Sequence, residues 1–233
     1  MHQVNPQRAK LPDANQGALA TTAGVYGIYA GVLGMEHGFF ETLQGSAAPA
    51  HLKILASPWE LPFPFGHEPA MTLIPNFLAT GIAAMLCGLA LIAWSARFLR
   101  SKRGAAVLAL FSAVLLLVGG GFGPISLLVV ACIAASRIGK APKAGRTWIP
   151  RALGRALATA WPWFLIASLL WVPAEFIAGQ VFHLQNDHRQ VLSNLNLLSS
   201  YPMLGLFVLT LVAAIARERE TEEVVRFCPP APS

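Results

Sequence analysis

The chain has 233 residues, 55% of them hydrophobic and 12% charged, whereas soluble globular domains are about 25% charged. With a mean hydropathy of +0.55, that composition excludes an ordinary water-soluble domain and indicates a membrane protein. The net charge of +6 does not imply a nucleic-acid partner, because the basic residues flank apolar runs instead of forming a patch interleaved with aromatics.

A helix crossing a hydrocarbon core of ~30 Å needs ~20 mostly apolar residues. The first run that meets this is Ala18 to His37. It is longer than the ~7–15 residue core of a signal peptide, and Glu36, His37 and Glu41 separate it from the small residues Gly45 to Ala48. It is therefore expected to be a retained transmembrane helix. Gly24, Gly27, Gly31, Gly34 and Gly38 recur at alternating spacings of three and four residues, which draws a single stripe of small residues and requires another helix close against it. Continuing the stripe reaches Glu41 and Gly45, and His37 lies one turn before Glu41. Both ionisable groups are thus expected to face the bundle.

The stretch from 46 to 70 contains Pro49, Pro58, Pro62 and Pro64, with Trp59, Phe63 and Phe65 among them. It cannot be helical throughout and reads as an interfacial loop capping the outer helix ends. Met71 to Trp94 is the next span, with Asn76 and Thr80 as neutral polar groups on one face. Ala105 to Ser136 is too long for one crossing and short for two, and Gly119 to Pro124 break it at its centre.

The basic residues decide how that region runs. A single crossing would scatter them over both faces. If the region enters and returns, fifteen of the 17 Lys and Arg residues fall on one face, leaving Lys53 and Arg189 on the other, as the positive-inside rule demands. A short helical hairpin is expected, its centre either a tight turn or a cavity-lining re-entrant tip. Trp161 to Phe182 and Leu197 to Ala216 complete the spans, followed by a charged tail over 217–233.

The expected fold is an all-α polytopic transmembrane bundle in a single domain. It has four full spans plus the central hairpin, with segments at about 18–40, 71–94, 105–118, 125–136, 161–182 and 197–216. Both termini are expected to be cytoplasmic, and the protein to be multi-pass in the inner membrane.

Ionisable residues cluster towards the other face. Glu175, below the outer end of its helix and two residues after Pro173, is expected to be an intramembrane carboxyl, which is costly and usually functional. His183 continues its stripe. Glu175, His37, Glu41, His183 and Asn76 form the candidate ligand-binding set. His37, Glu41, His67, Glu68, His183 and His188 form a candidate divalent-metal set, since imidazole and carboxylate suit such ions. A hydrogen-bonded or solvated role for these groups stays open, and no recognised metal, phosphate-loop or nucleophile motif is present. Cys87, Cys132 and Cys228 define no disulfide or redox motif.

Three functions are therefore open: binding or moving a cation, proton or polar-headed lipid; service as an accessory subunit, with a membrane-protein partner or a second copy; and metal-assisted lipid chemistry.

Overall fold

The computed structural model describes residues 17–55, 69–140, 150–185 and 189–227. The described residues are all-α apart from one short strand pair. In chain order they form α1 (Ala18–Thr42), β1 (Lys53–Leu55), β2 (Pro69–Met71), α2 (Phe77–Arg97), α3 (Gly104–Leu117), α4 (Phe122–Arg137), α5 (Arg151–Gln185) and α6 (Arg189–Phe227). Four of the helices are long and apolar enough to cross a membrane: α1, α2, α5 over Arg151–Ala174 and α6 over Tyr201–Glu223. Their outward faces carry large apolar side chains such as Val32, Leu86, Trp163 and Val208, as lipid-facing helices do.

α1 is the centre of the bundle and packs against α2, α4 and α6, while α5 packs mainly against α6. The glycine stripe explains the closest of these contacts. A Cβ on Gly31 would sit 2.8 Å from the carbonyl oxygen of Gly88, and one on Gly38 would sit 2.6 Å from that of Gly81. α2 answers with its own small residues, Gly81, Ala84 and Gly88, spaced three and four apart, so the two backbones meet without side chains between them. Further along, the Trp161 indole N–H donates to Thr22 Oγ1 at 3.0 Å. The Tyr26 hydroxyl pairs with Ser168 at 2.7 Å and its ring meets Phe207 edge-on, which ties α1 to α5 and α6. Such buried hydroxyls need partners because no water reaches them.

Several boundaries differ from the sequence reading. α2 begins at Phe77 rather than at Met71, because residues 69–71 pair antiparallel with 53–55 and Asn76 caps the helix, its Oδ1 accepting the Ala79 N–H at 3.0 Å. α5 starts ten residues before Trp161 and runs on through Pro162 and Pro173, and α6 extends the last span at both ends. The stripe of α1 stops at Glu41. The helix ends at Thr42, and Gly45 lies in the following turn with a positive φ of 69°.

The α3–α4 hairpin resolves into a closed turn. Its arms of 14 and 16 residues reach only about 21 and 24 Å, and Val118 to Gly121 join them. The segment after β2 is stitched to that tip. Leu73 N–H donates to the Leu117 carbonyl and Gly119 N–H to the Met71 carbonyl, both at 2.9 Å, forming a bridge between Thr72 and Val118. These bonds satisfy polar groups of the non-helical backbone between the two arms.

The two ends of the bundle differ in charge. Leu19 N–H meets Glu218 at 3.4 Å, Arg217 donates to the Ala158 carbonyl at 3.3 Å, and Gly24 lies against Ser95 and Leu99. The start of α1, the end of α2, the start of α5 and the charged turns of α6 therefore share one end. The hairpin arms open towards that same end. It collects Arg97, Arg100, Arg103, Arg137, Arg151, Arg155, Arg217 and Arg219, while Lys53 lies beyond the opposite end of α1.

Candidate functional site

The opposite end, where α1 finishes beneath the hairpin tip, buries an acid and an imidazole. Glu41 is 0% exposed and His37, one turn earlier, is 4% exposed. They are buried because the same face of α1 that brings Gly31 and Gly38 against α2 turns both residues inward. Neither carboxyl oxygen of Glu41 has a hydrogen-bond partner among the described residues.

The tip is shaped around these two groups. Gly119 and Gly121 adopt positive φ values of 92° and 78°, a region that side chains other than glycine enter at a cost of about 1–2 kcal/mol. A Cβ on Gly119 would strike the Glu41 carboxyl, and one on Gly121 would lie 2.5 Å from His37 Nε2. The glycines therefore serve two needs at once: the turn requires their backbone conformation, and the acid and the imidazole occupy the space their side chains would fill.

Electrostatics at this spot oppose an ionised Glu41 without a counter-charge. An ionised carboxylate without counter-charge costs several kcal/mol to bury. The carboxyl end of α1 adds its own partial negative charge, and no basic residue stands in its last turn. The amino end of α4, which starts at Phe122 just after the tip, supplies an opposing partial charge. That partial charge is smaller than a full one. The carboxyl must be balanced by its own proton or by a bound positive group.

Beside it runs a polar clasp. Thr80 Oγ1 donates to the Val118 carbonyl at 2.9 Å and pairs with Thr72 Oγ1 at 2.5 Å, while Thr72 accepts the Ile74 N–H at 3.0 Å. Both threonines are buried. The clasp holds residue 118 and thereby positions Gly119 over Glu41.

Of the sequence-derived candidates, His37 and Glu41 are brought together at the tip. Asn76 is occupied elsewhere, capping α2 and donating to the Ser46 carbonyl at 3.4 Å. The backbones of Glu175 and His183 lie in α5, but their side chains lie outside the described residues, as do His67, Glu68 and His188 altogether. Among the described residues no three His, Cys, Asp or Glu side chains converge as a metal-binding group. Sequence reasoning missed Gly119 and Gly121 as walls of the site. The run Gly119 to Gly123 signalled a turn, and nothing in it indicated which side chains the missing Cβ atoms make room for.

The chain matches no family model, no curated protein and no solved structure. Function must therefore be argued from the site itself.

Proposed function

We propose that this chain is a multi-pass membrane protein that binds or moves a proton or small cation at the outer end of α1, with Glu41 as the group that takes the charge and His37 beside it under the same tip. A polar-headed lipid presenting a positive group would meet the same need. The observation that carries the reading is the fully buried Glu41 carboxyl, unpaired among the described residues and walled by a turn whose glycines leave room for it. Membrane proteins retain so costly a group chiefly where it serves a pathway or a ligand. The glycine stripe of α1 is occupied within the chain by α2 and, at Gly34, by α3, so it is not left open for a partner subunit, which favours the binding reading over the accessory one.

The test is reconstitution into liposomes containing a trapped pH dye, with a potassium gradient and valinomycin imposing a membrane potential. The expected result is proton entry in the wild type that falls at least tenfold in Glu41→Gln, a change that keeps the side chain's shape while removing its ionisable proton. In parallel, binding of Na+, K+ and Mn2+ to the purified protein is measured by calorimetry. Should the wild type neither conduct protons nor bind any of these cations, or should Glu41→Gln behave as wild type, the reading fails.

We also place the basic end of the bundle in the cytoplasm, because Lys and Arg are retained there. In a cysteine-free background, an impermeant thiol reagent applied outside intact cells is expected to label His51→Cys and to leave Lys102→Cys untouched, both positions being exposed. The reverse pattern would invert the protein.

A further inference from the structure

At the basic end, α5 and α6 part to leave a cleft of about 80 Å³, well above the ~10–15 Å³ that one water requires. α5 contributes Arg151, Gly154 and Arg155, one helical face at spacings of three and four; α6 contributes Arg219, Glu220 and Glu223. Beside Gly154 the cleft is open, since a Cβ built there would meet nothing within 4 Å.

The charges in this cleft do not balance internally. Arg155 and Glu220 face each other at 4.0 Å. That leaves Arg151 and Arg219 against the single carboxylate of Glu223, which is itself exposed. The Nε atom of Arg219 is shielded from solvent and has no acceptor among the described residues. A guanidinium N–H held from water without an acceptor is costly, so an acceptor from beyond the described residues is expected. The amino end of α5 adds about half a positive charge. Guanidinium forks match tetrahedral oxyanions through paired N–H···O bonds. The position along the fold fits as well, since the cleft lies at the limits of the apolar stretches Arg151–Ala174 and Tyr201–Glu223. A lipid's phosphate reaches that level, and basic pockets between transmembrane helices recognise such headgroups.

We propose that this cleft is a phosphate site, filled by the headgroup of an anionic lipid lying beside α5 and α6 or by a soluble phosphate ester. Arg219 and Arg151 hold the phosphate oxygens. Arg155 is kept at the rim by Glu220, and Gly154 provides the space. The site is separate from Glu41 and does not depend on the role given to that residue.

The experiment uses the full chain purified in a nonionic maltoside detergent, its thermal unfolding followed against increasing dioctanoyl phosphatidylglycerol, dioctanoyl phosphatidylcholine or inorganic phosphate, with chloride at matched ionic strength. The expected result is a saturable rise in the midpoint with phosphatidylglycerol, with inorganic phosphate, or with both, and none with chloride. A response confined to phosphatidylglycerol identifies a lipid headgroup. Saturation by inorganic phosphate, with no further gain from the lipid, identifies a soluble ester. In Arg219→Gln and in Gly154→Leu, which fills the cleft without removing charge, the apparent affinity is expected to fall at least tenfold. In Lys102→Gln, which removes an exposed charge elsewhere on the same end, it is expected to stay unchanged. The proposal is overturned if no phosphate probe gives a saturable shift, if Gly154→Leu binds as wild type while folded, or if Lys102→Gln weakens binding as much as Arg219→Gln.

Discussion

Leucine at Gly31 is expected to destabilise the bundle by about 3 kcal/mol or more, at or above the usual 1–3 kcal/mol for overpacking. The reason is what the new side chain meets. A Cβ there lies 2.8 Å from the Gly88 carbonyl oxygen and 2.7 Å from Ile92 Cγ1. The isoleucine can change rotamer, but the carbonyl belongs to α2's backbone and moves only if the whole helix retreats. The same geometry predicts an order among milder changes. Gly38→Ala places its methyl 2.6 Å from the Gly81 carbonyl oxygen, while Gly24→Ala finds its nearest neighbour at 3.5 Å, an ordinary contact. Gly38→Ala is therefore expected to destabilise. Gly24→Ala is expected to be neutral or to gain about 0.5–1 kcal/mol from the better helix former. Unfolding by SDS titration in mixed micelles reads all three. If Gly24→Ala proved as damaging as Gly38→Ala, close backbone approach would not be what distinguishes these positions.

The contrast between these glycines shows how far the sequence could be read. Spacings of three and four residues place Gly24, Gly27, Gly31, Gly34 and Gly38 on one face whatever surrounds them, so the existence of a seam follows from helical geometry alone. Its partner does not. Gly34 meets the side chain of Leu115 on α3 rather than α2, and Gly24 is only loosely approached, because helices cross at an angle and a straight stripe contacts different neighbours along its length. The helix ends were less legible than the seam: the apolar run put the start of α2 at Met71, six residues before Phe77. Asn76 caps α2 through its own side chain. The start of α5 at Arg151 leaves the apolar run behind, since a helix continues into water wherever its backbone bonds are satisfied.

The site divides in the same way. The burial of His37 and Glu41 followed from their place on the α1 face, one turn apart. That the hairpin tip would close over them depended on contacts far apart in sequence, from Thr80 to Val118 and from Met71 to Gly119. No local pattern encodes these pairings. Residue type at Gly119 and Gly121 was informative about backbone conformation alone.

Alanine at Gly119 tests how tip and acid are coupled, and it carries the second large expected effect. Two costs are added by one methyl group. The backbone there has a φ of 92°, which costs a residue with a Cβ about 1–2 kcal/mol. The methyl also strikes the Glu41 carboxyl, which is fully buried with α1 behind it and has little room to withdraw. Together they are expected to destabilise the protein by about 2–4 kcal/mol. The two costs separate in a double-mutant cycle. In a Glu41→Ala background the carboxyl is gone, so Gly119→Ala is expected to cost only its backbone part. The difference between the two backgrounds is expected to be about 1–2 kcal/mol, within the range typical of residues in contact. Gly121→Ala serves as the reference. The atoms nearest its methyl all belong to His37, so its cost is expected to change little when Glu41 is replaced. SDS unfolding of the four Gly119 and Glu41 combinations measures the coupling. If the penalty of Gly119→Ala is undiminished by Glu41→Ala, the tip does not rest on the acid and the site as described is wrong. A coupling confined to Gly119 identifies the carboxyl as the group around which this turn is built.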